Sequence, residues 1–448
     1  YHYVPLLLFS IAFNYWIGWS IGESKTENKK AWLVTGITID LILLGYYKYA
    51  NFFLSSIATL AGNEFDTLSI ALPIGISFFT FTQIAFLVDT YQGKVKEYRF
   101  IHYLLFVTYF PHLIAGPVLH HKEMMPQFAD RRNYRFDPAN FAVGLVIFIM
   151  GLAKKVLIAD NVAPYADDLF SSPNAPSLLI AWGGVLAFSF QLYFDFSGYS
   201  DMAIGLSRLF GIRLPLNFDS PYKSASISEF WRCWHMTLSR FLRDYLYIAL
   251  GGNRHGQTRR YTNLMVTMLL GGLWHGAGWN YVVWGGLHGL YLVINHAWTS
   301  LAKHINFPLE TLVWKLVATT ITFISVCFAW VFFRAEDMET AGRIVAGMLG
   351  GFGVGLPGAI GLRMGSVKPW FDSAGGFFFE GGASRFAATW GWVLFATFVS
   401  FVLPNTQQIA RHFEPALDAD RAFRHHTRGL FNIGFTPSRR WALVLGLL

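Results

Sequence analysis

The sequence predicts an all-α, polytopic membrane protein. Hydrophobic residues make up 54% of the chain and charged residues only 14%, where soluble domains carry about 25% charged residues. Apolar runs recur from end to end. A lipid-exposed backbone must satisfy its own polar groups, which favours helices of about 20 residues. In chain order the candidate spans are 4–21, 32–50, 68–88, 103–119, 141–158, 178–196, 264–274, 279–295, 312–333 and 387–403. The shortest of these are expected to be re-entrant or half-helices lining a protein-enclosed cavity. No internal repeat is visible, so residues 1–448 read as one domain. The chain starts at Tyr1 in mid-hydrophobic sequence, and N-terminal helices are expected to be missing from it.

The two cysteines, Cys233 and Cys327, sit among apolar or aromatic neighbours and read as buried thiols, not as a disulfide framework. The formal charge of +8 is no nucleic-acid signal here. Its basic residues cluster in loops: Lys94, Lys96 and Arg99; Lys122, Arg131, Arg132 and Arg135; Arg254, Arg259 and Arg260; Arg421, Arg424 and Arg428. Such clusters mark the cytoplasmic side of a membrane protein.

Three stretches break the apolar pattern: a polar loop at 120–138, a polar but aromatic-rich stretch at 213–260, and a glycine-rich run at 347–382 that reads as irregular loop. Within the second, Ser226 and Glu229 form a capping-box pattern. The spacing then predicts one amphipathic helix over 226–250. Trp231, Trp234, His235, Leu238, Leu242 and Tyr245 share a face, Arg240 pairs with Asp244 one turn on, and the helix stops at Gly251-Gly252. Interfacial anchoring is the bland reading of such a helix; His235 on the aromatic face argues for a site.

The most informative stretch is Leu269-Leu270-Gly271-Gly272-Leu273-Trp274-His275-Gly276-Ala277-Gly278-Trp279. It places one imidazole in a segment, 261–294, that has no Asp, Glu, Lys or Arg. A histidine there is commonly a packing residue that hydrogen-bonds between helices. The surrounding glycines and tryptophans point instead to close approach of a ligand, and His is the side chain suited to accept and return a proton near neutral pH. His288 and His296 sit where a helix–helix hydrogen bond suffices. Asp195, in Gln191–Asp201, is an intramembrane acid and so a functional candidate, with helix capping or crosslinking as its structural alternative. Asp40 and Asp89 read as structural. There is no His-Glu-x-x-His, no Cys-x-x-Cys, no P-loop and no Gly-x-Ser-x-Gly. The adjacent pairs His120-His121 and His425-His426 have poor geometry for one metal, so no metal site is expected.

At these residues the chain resembles the bacterial membrane-bound O-acyltransferases. The likeness is carried by Ala71-Leu72-Pro73-Ile74-Gly75-Ile76-Ser77-Phe78, by Phe110-Pro111-His112-Leu113-Ile114-Ala115-Gly116-Pro117, and by Gln191–Asp201. It continues through Asn217-Phe218-Asp219-Ser220-Pro221-Tyr222, the run from Ser226 to Ser239, Arg243–Ile248, Leu250–Arg254 and Leu269–Ala277. It covers about three quarters of the chain and is nearest the alginate O-acetylation branch, with teichoic-acid D-alanylation more distant. The resemblance implies a curved helical enclosure around a central tunnel. It maps the family's invariant histidine onto His275 and its second histidine onto His235; Cys233 stands where relatives often have a basic residue. It implies a cytoplasmic thioester donor, acetyl-CoA, no bound cofactor, and a bacterial inner-membrane location. The acceptor implied is an extracytoplasmic polysaccharide such as alginate, or alternatively peptidoglycan, reached through a periplasmic partner transferase. Trp274, Asp195, Ser197, Asn253, Arg240 and Asp244 are the supporting site candidates. A polar-solute transporter relaying protons through His235, His275 and Asp195 is the rival from another class, but it lacks the internal repeat such proteins show.

Overall fold

Apolar runs become helices wherever no proline or polar cluster interrupts them. The computed structural model describes residues 3–23, 28–95, 99–112, 116–417, 434–436, 438, 441 and 444–446. Lys96, Arg421, Arg424, Arg428 and the His425-His426 pair lie outside the described residues.

Helix α1 (Val4–Glu23) packs with α2 (Lys29–Leu44), which runs through a π-helical turn, Gly45–Tyr49, into α3 (Ala50–Leu60). Next come α4 (Ile76–Tyr91), α5 (Phe100–Thr108) and α6 (His121–Ala129). Two expected spans shrink here. Residues 68–75 stay non-helical up to Gly75, whose φ of 76° lies in the left-handed region. Helix α5 stops at Thr108, where Tyr109 turns extended two residues before Pro111, and a proline disfavours helix in the residue before it. Buried polar groups hold this first layer: the Asn14 amide donates to Asp40 Oδ1 (2.8 Å) and Gln83 Oε1 (2.9 Å), and Ser10 Oγ donates to Gln83 Oε1 (2.7 Å). Such hydrogen bonds fasten helices that cannot rely on a hydrophobic drive within lipid.

Asp137 caps α7 (Pro138–Ala153), accepting from Ala139 N at 2.8 Å, with Pro138 in the first turn. A second π-turn, Lys154–Ala159, joins it to α8 (Asp160–Phe170). The spine is α9 (Leu178–Leu209), 32 residues long. It lies antiparallel on α7 through two glycine pairs. A Cβ on Gly144 would meet Gly205 O at 2.6 Å, and one on Gly151 would meet Gly198 O at 2.6 Å. The seven-residue spacing on both helices brings the backbones into near-contact.

The expected helix over 226–250 is three pieces. Helix α10 (Ile227–Cys233) ends at Trp234, α11 (Met236–Phe241) starts after His235, and a π-turn, Leu242–Tyr247, follows. The break has a tertiary cause. Met236 N bonds Asn217 O (2.9 Å), Asp219 N bonds Cys233 O (2.9 Å), and His235 sits at φ 43°. The start is as expected: Ser226 Oγ accepts from Glu229 N (3.1 Å), although Glu229 Oε2 reaches back to Ala225 N (2.8 Å) instead of Ser226 N.

Helices α12 (Gly256–His275) and α13 (Trp279–His304) form a tight hairpin. Then follow α14 (Leu312–Arg334), α15 (Met338–Met348), β1 (Val354–Pro357), α16 (Gly358–Gly361), α17 (Lys368–Ser373), β2 (Gly376–Phe379), α18 (Ala383–Val402) and α19 (Thr406–Ile409). The glycine-rich run is therefore not irregular. Strands β1 and β2 pair in parallel, Val354 opposite Gly376 and Pro357 opposite Phe379.

Among the described residues six helices are long and apolar enough to cross a membrane: Val4–Glu23, Lys29–Leu60, Pro138–Phe170, Leu178–Leu209, Leu312–Arg334 and Ala383–Val402. The protein is an all-α membrane protein with several spans. One large buried apolar cluster gathers on α9, α13 and α14, and a second on α1, α4 and α5. A small third one, with Leu238, Phe241, Leu242 and Trp274, is where the candidate site lies.

Candidate active site

Helix α12 ends on His275, and the chain leaves it extended at Gly276. That puts the imidazole at a helix terminus, half-buried, in a box of aromatic edges. Its ring stands edge-on to Trp274 (4.8 Å), Trp284 (5.1 Å) and Phe333 (5.2 Å). Trp274 in turn lies 6.2 Å from the ring of His235, so one indole separates the two histidines. Both histidines and Trp274 line a single cavity of about 250 Å³, together with Lys48, Pro73, Ser77, Phe78 and Phe196.

His235 is fully buried, edge-on to Phe196 at 4.8 Å. Its left-handed backbone is strained for a residue with a Cβ, a cost that tends to be kept at functional sites. Asn217 fixes its proton. Asn217 Oδ1 receives Thr237 N (3.4 Å) and Thr237 Oγ1 (2.9 Å), so it is an acceptor, and His235 Nδ1 at 3.0 Å must donate to it. Nε2 is then left with its lone pair. Among the described residues His235 Nε2 and the Trp274 indole N–H are both buried without a hydrogen-bond partner. Two residues that line one cavity thus carry a buried unpaired acceptor and a buried unpaired donor, groups whose desolvation cost a hydrogen-bonding partner would relieve.

Gly272 and Gly276 beside His275, and Gly285 facing them, do not open space for a ligand. A Cβ on Gly272 would meet Tyr281 O at 2.2 Å, one on Gly285 would meet Met268 O at 2.3 Å, and one on Gly276 would meet the Tyr281 ring at 2.0 Å. They let α12 and α13 touch, which fixes where α12 ends.

Five other candidates lie outside the cavity lining. Asp195 is half-exposed and pairs with Lys155 at 2.8 Å. Ser197 is buried on α9 next to Phe196. Asn253 is exposed in the turn before α12, some 30 Å along that helix from His275. Arg240 does not pair with Asp244; its guanidinium clasps Glu123 at 2.6 and 2.9 Å, while Asp244 takes Arg243 at 2.7 Å. The π-turn after α11 breaks the i,i+4 register the expected pair required. Another cavity, of about 300 Å³ between α8, α9 and α18, contains none of the candidates, and its Arg385 is tied to Asp168 at 2.6 Å.

Sequence reading passed over Lys48, Ser77 and Asn217. Lys48 was findable: a lysine inside the apolar run 32–50 is an intramembrane charge, and such charges are functional candidates by default. Asn217 stood in one of the motifs that carry the resemblance, but its pairing with His235, 18 residues away, left no local signal.

The model of the membrane-bound O-acyltransferase family matches residues 3–336. This chain is a member of that family. The match takes in every helix from α1 to α14 and hence both histidines. A peptidoglycan O-acetyltransferase of Helicobacter pylori is 46% identical over 380 residues, 79% of this chain and 71% of that protein. A probable alginate O-acetylase AlgI of Pseudomonas aeruginosa is 47% identical over 353 residues, 77% of this chain and 66% of that one. A teichoic acid D-alanyltransferase of Streptococcus thermophilus is 31% identical over 296 residues, 60% of this chain and 69% of its own. The chain thus spans about two thirds of the length of the curated relatives it matches. As an O-acyltransferase it is an enzyme, and the strand pair and α18 fall beyond the matched residues.

Proposed function

We propose that this acyltransferase moves an acetyl group from acetyl-CoA, taken from the cytoplasm, to an extracytoplasmic polysaccharide such as alginate, by way of a periplasmic partner transferase. The observation that carries the reading is the single cavity shared by His235, Trp274 and His275. His275 is the general base. It takes the proton of the acceptor hydroxyl as that oxygen bonds to the acetyl carbon; the C–S bond breaks, and the departing thiolate receives the proton back from the imidazolium. Trp274 donates its free indole N–H to the oxyanion that develops on the acetyl carbonyl. His235 accepts at Nε2 and orients the hydroxyl, since its Nδ1 proton is committed to Asn217. The aromatic walls keep water from the thioester. Peptidoglycan is the second reading of the acceptor, favoured by the 46% identical relative. A bacterial inner-membrane location follows from a cytoplasmic donor and an outward acceptor.

The test is transfer of labelled acetyl from acetyl-CoA by purified protein in proteoliposomes, with candidate periplasmic transferases and alginate or peptidoglycan. His275→Ala is expected to abolish transfer with insertion and melting nearly unchanged. A variant that keeps more than about a tenth of the wild-type rate would sink the general-base role, which is worth about 10²-fold or more.

A further inference from the structure

The last four carbonyls of a helix lack intrahelical partners, and the C-terminal end of the helix dipole attracts positive charge. Helix α12 does not close its own end with a left-handed turn, because Gly276 is extended, and its last turn carries no Lys or Arg; His275 is the one basic residue there. The partners come from another span. Lys48 Nζ donates to Trp274 O and to Ser77 Oγ (3.0 Å), and the next residue, Tyr49, donates its hydroxyl to Leu273 O at 2.9 Å. Two consecutive side chains thus cap two consecutive carbonyls immediately before His275. Both lie in the π-turn Gly45–Tyr49 of the span Lys29–Leu60, and π-turns are frequent at functional sites. Lys48 Nζ also stands 5.7 Å from the Trp274 ring.

A neutral donor suffices for a cap, as Tyr49 shows, whereas a lysine at membrane depth is costly. The charge therefore needs its own explanation. We propose that Lys48 is a positioning residue for His275: it caps the end of α12 from a neighbouring span and supplies the positive charge this helix end attracts. His275 is thereby held in place and left neutral, able to accept a proton. The inference rests on the reading of His275 as the base.

The test compares Lys48→Met, Lys48→Arg, Tyr49→Phe and His275→Ala as purified full chains, reading kcat, KM for acetyl-CoA and melting temperature. Lys48→Met is expected to lower kcat about 10²-fold with KM within about threefold, since misplacing a catalytic group costs rate and not uniform binding. Lys48→Arg, which keeps charge and donors, is expected to recover most of that loss, and Tyr49→Phe to lose less than about fivefold. A kcat for Lys48→Met within about threefold of wild type, or equal losses in Lys48→Met and Lys48→Arg, overturns the inference. If Lys48→Met does not fold, Lys48→Gln takes its place under the same expectations. An active His275→Ala would instead overturn the base assignment itself; an inactive one beside a fully active Lys48→Met removes Lys48 alone.

Discussion

His235 shows how a residue can be legible in chemistry and illegible in conformation. Its place in an aromatic-rich polar stretch marked it as a site candidate, but helical periodicity put it on a continuous helix. The structure puts it at φ 43°, between two helices. The left-handed region costs a residue with a Cβ about 1–2 kcal/mol, and glycine almost nothing. His235→Gly is therefore expected to melt higher than His235→Ala, by the equivalent of about 1 kcal/mol, reversing the order those residues take inside a helix. Both are expected to lose acetyl transfer because the Nε2 acceptor is gone. Thermal denaturation in detergent checks the order, and an alanine variant as stable as the glycine variant would contradict the backbone assignment. Asp195 teaches the converse. It was singled out for being an acid at depth, yet it is half-exposed and paired with Lys155, while Lys48, an equally anomalous charge, went unread.

At the scale of elements, starts were more legible than ends. Ser226 with Glu229 is a local signal that begins a helix as expected; Asp137 with Pro138 is an equally local start for α7, although the span was expected only from 141. The break at His235 is set by bonds to Asn217 and Asp219, which no window along the chain contains. Glycines were legible as special and misread in role: Gly272 and Gly276 serve the contact of α12 with α13. A Cβ on Gly285 would meet the backbone oxygen of Met268 at 2.3 Å, whereas its neighbour Gly286 would find only Leu269 Cδ2, at 3.5 Å. Gly285→Ala is expected to destabilise the protein by about 1–3 kcal/mol as the helices are forced apart. Gly286→Ala is expected to be neutral or stabilising by up to about 1 kcal/mol, the gain of alanine over glycine in a helix. Melting curves of the two variants test this, and a less stable Gly286→Ala would mean that the hairpin packs through another face.

For the whole molecule, composition was enough to predict a helical membrane protein. Counting spans from apolar length was not, because Gly75 in the left-handed region and Pro111 shorten 68–88 and 103–119 in ways hydropathy does not register. The basic stretch at 122–135, expected as loop, is largely helical in α6 and a 3-10 turn, and it and the basic start of α12 at 254–260 are both tied to the segment between them. Glu123 is bound to Arg240, His120 Nδ1 lies 3.1 Å from the Tyr245 hydroxyl, and Gly252 O accepts from Asn263 near the start of α12. Lysine and arginine excess tracks the cytoplasm. Single cysteines placed at Lys122 and Arg259 are therefore expected to react with an impermeant reagent only from the cytoplasmic side of oriented vesicles. Labelling of both from outside would reverse the proposed direction of transfer.

The parallel pairing of β1 with β2 has a consequence for how this protein can vary. The chain leaves β1 at Pro357, opposite Phe379, and returns into β2 at Gly376, opposite Val354, so the crossover, with α16 and α17 in it, runs back along the ladder and the pairing fixes the separation of its two ends. A segment whose ends are held at a fixed separation can be lengthened cheaply, since doubling a flexible loop costs only about 0.6 kcal/mol in closure entropy. The crossover lies outside the residues matched by the family model, so added length there is expected to leave His235 and His275 in place.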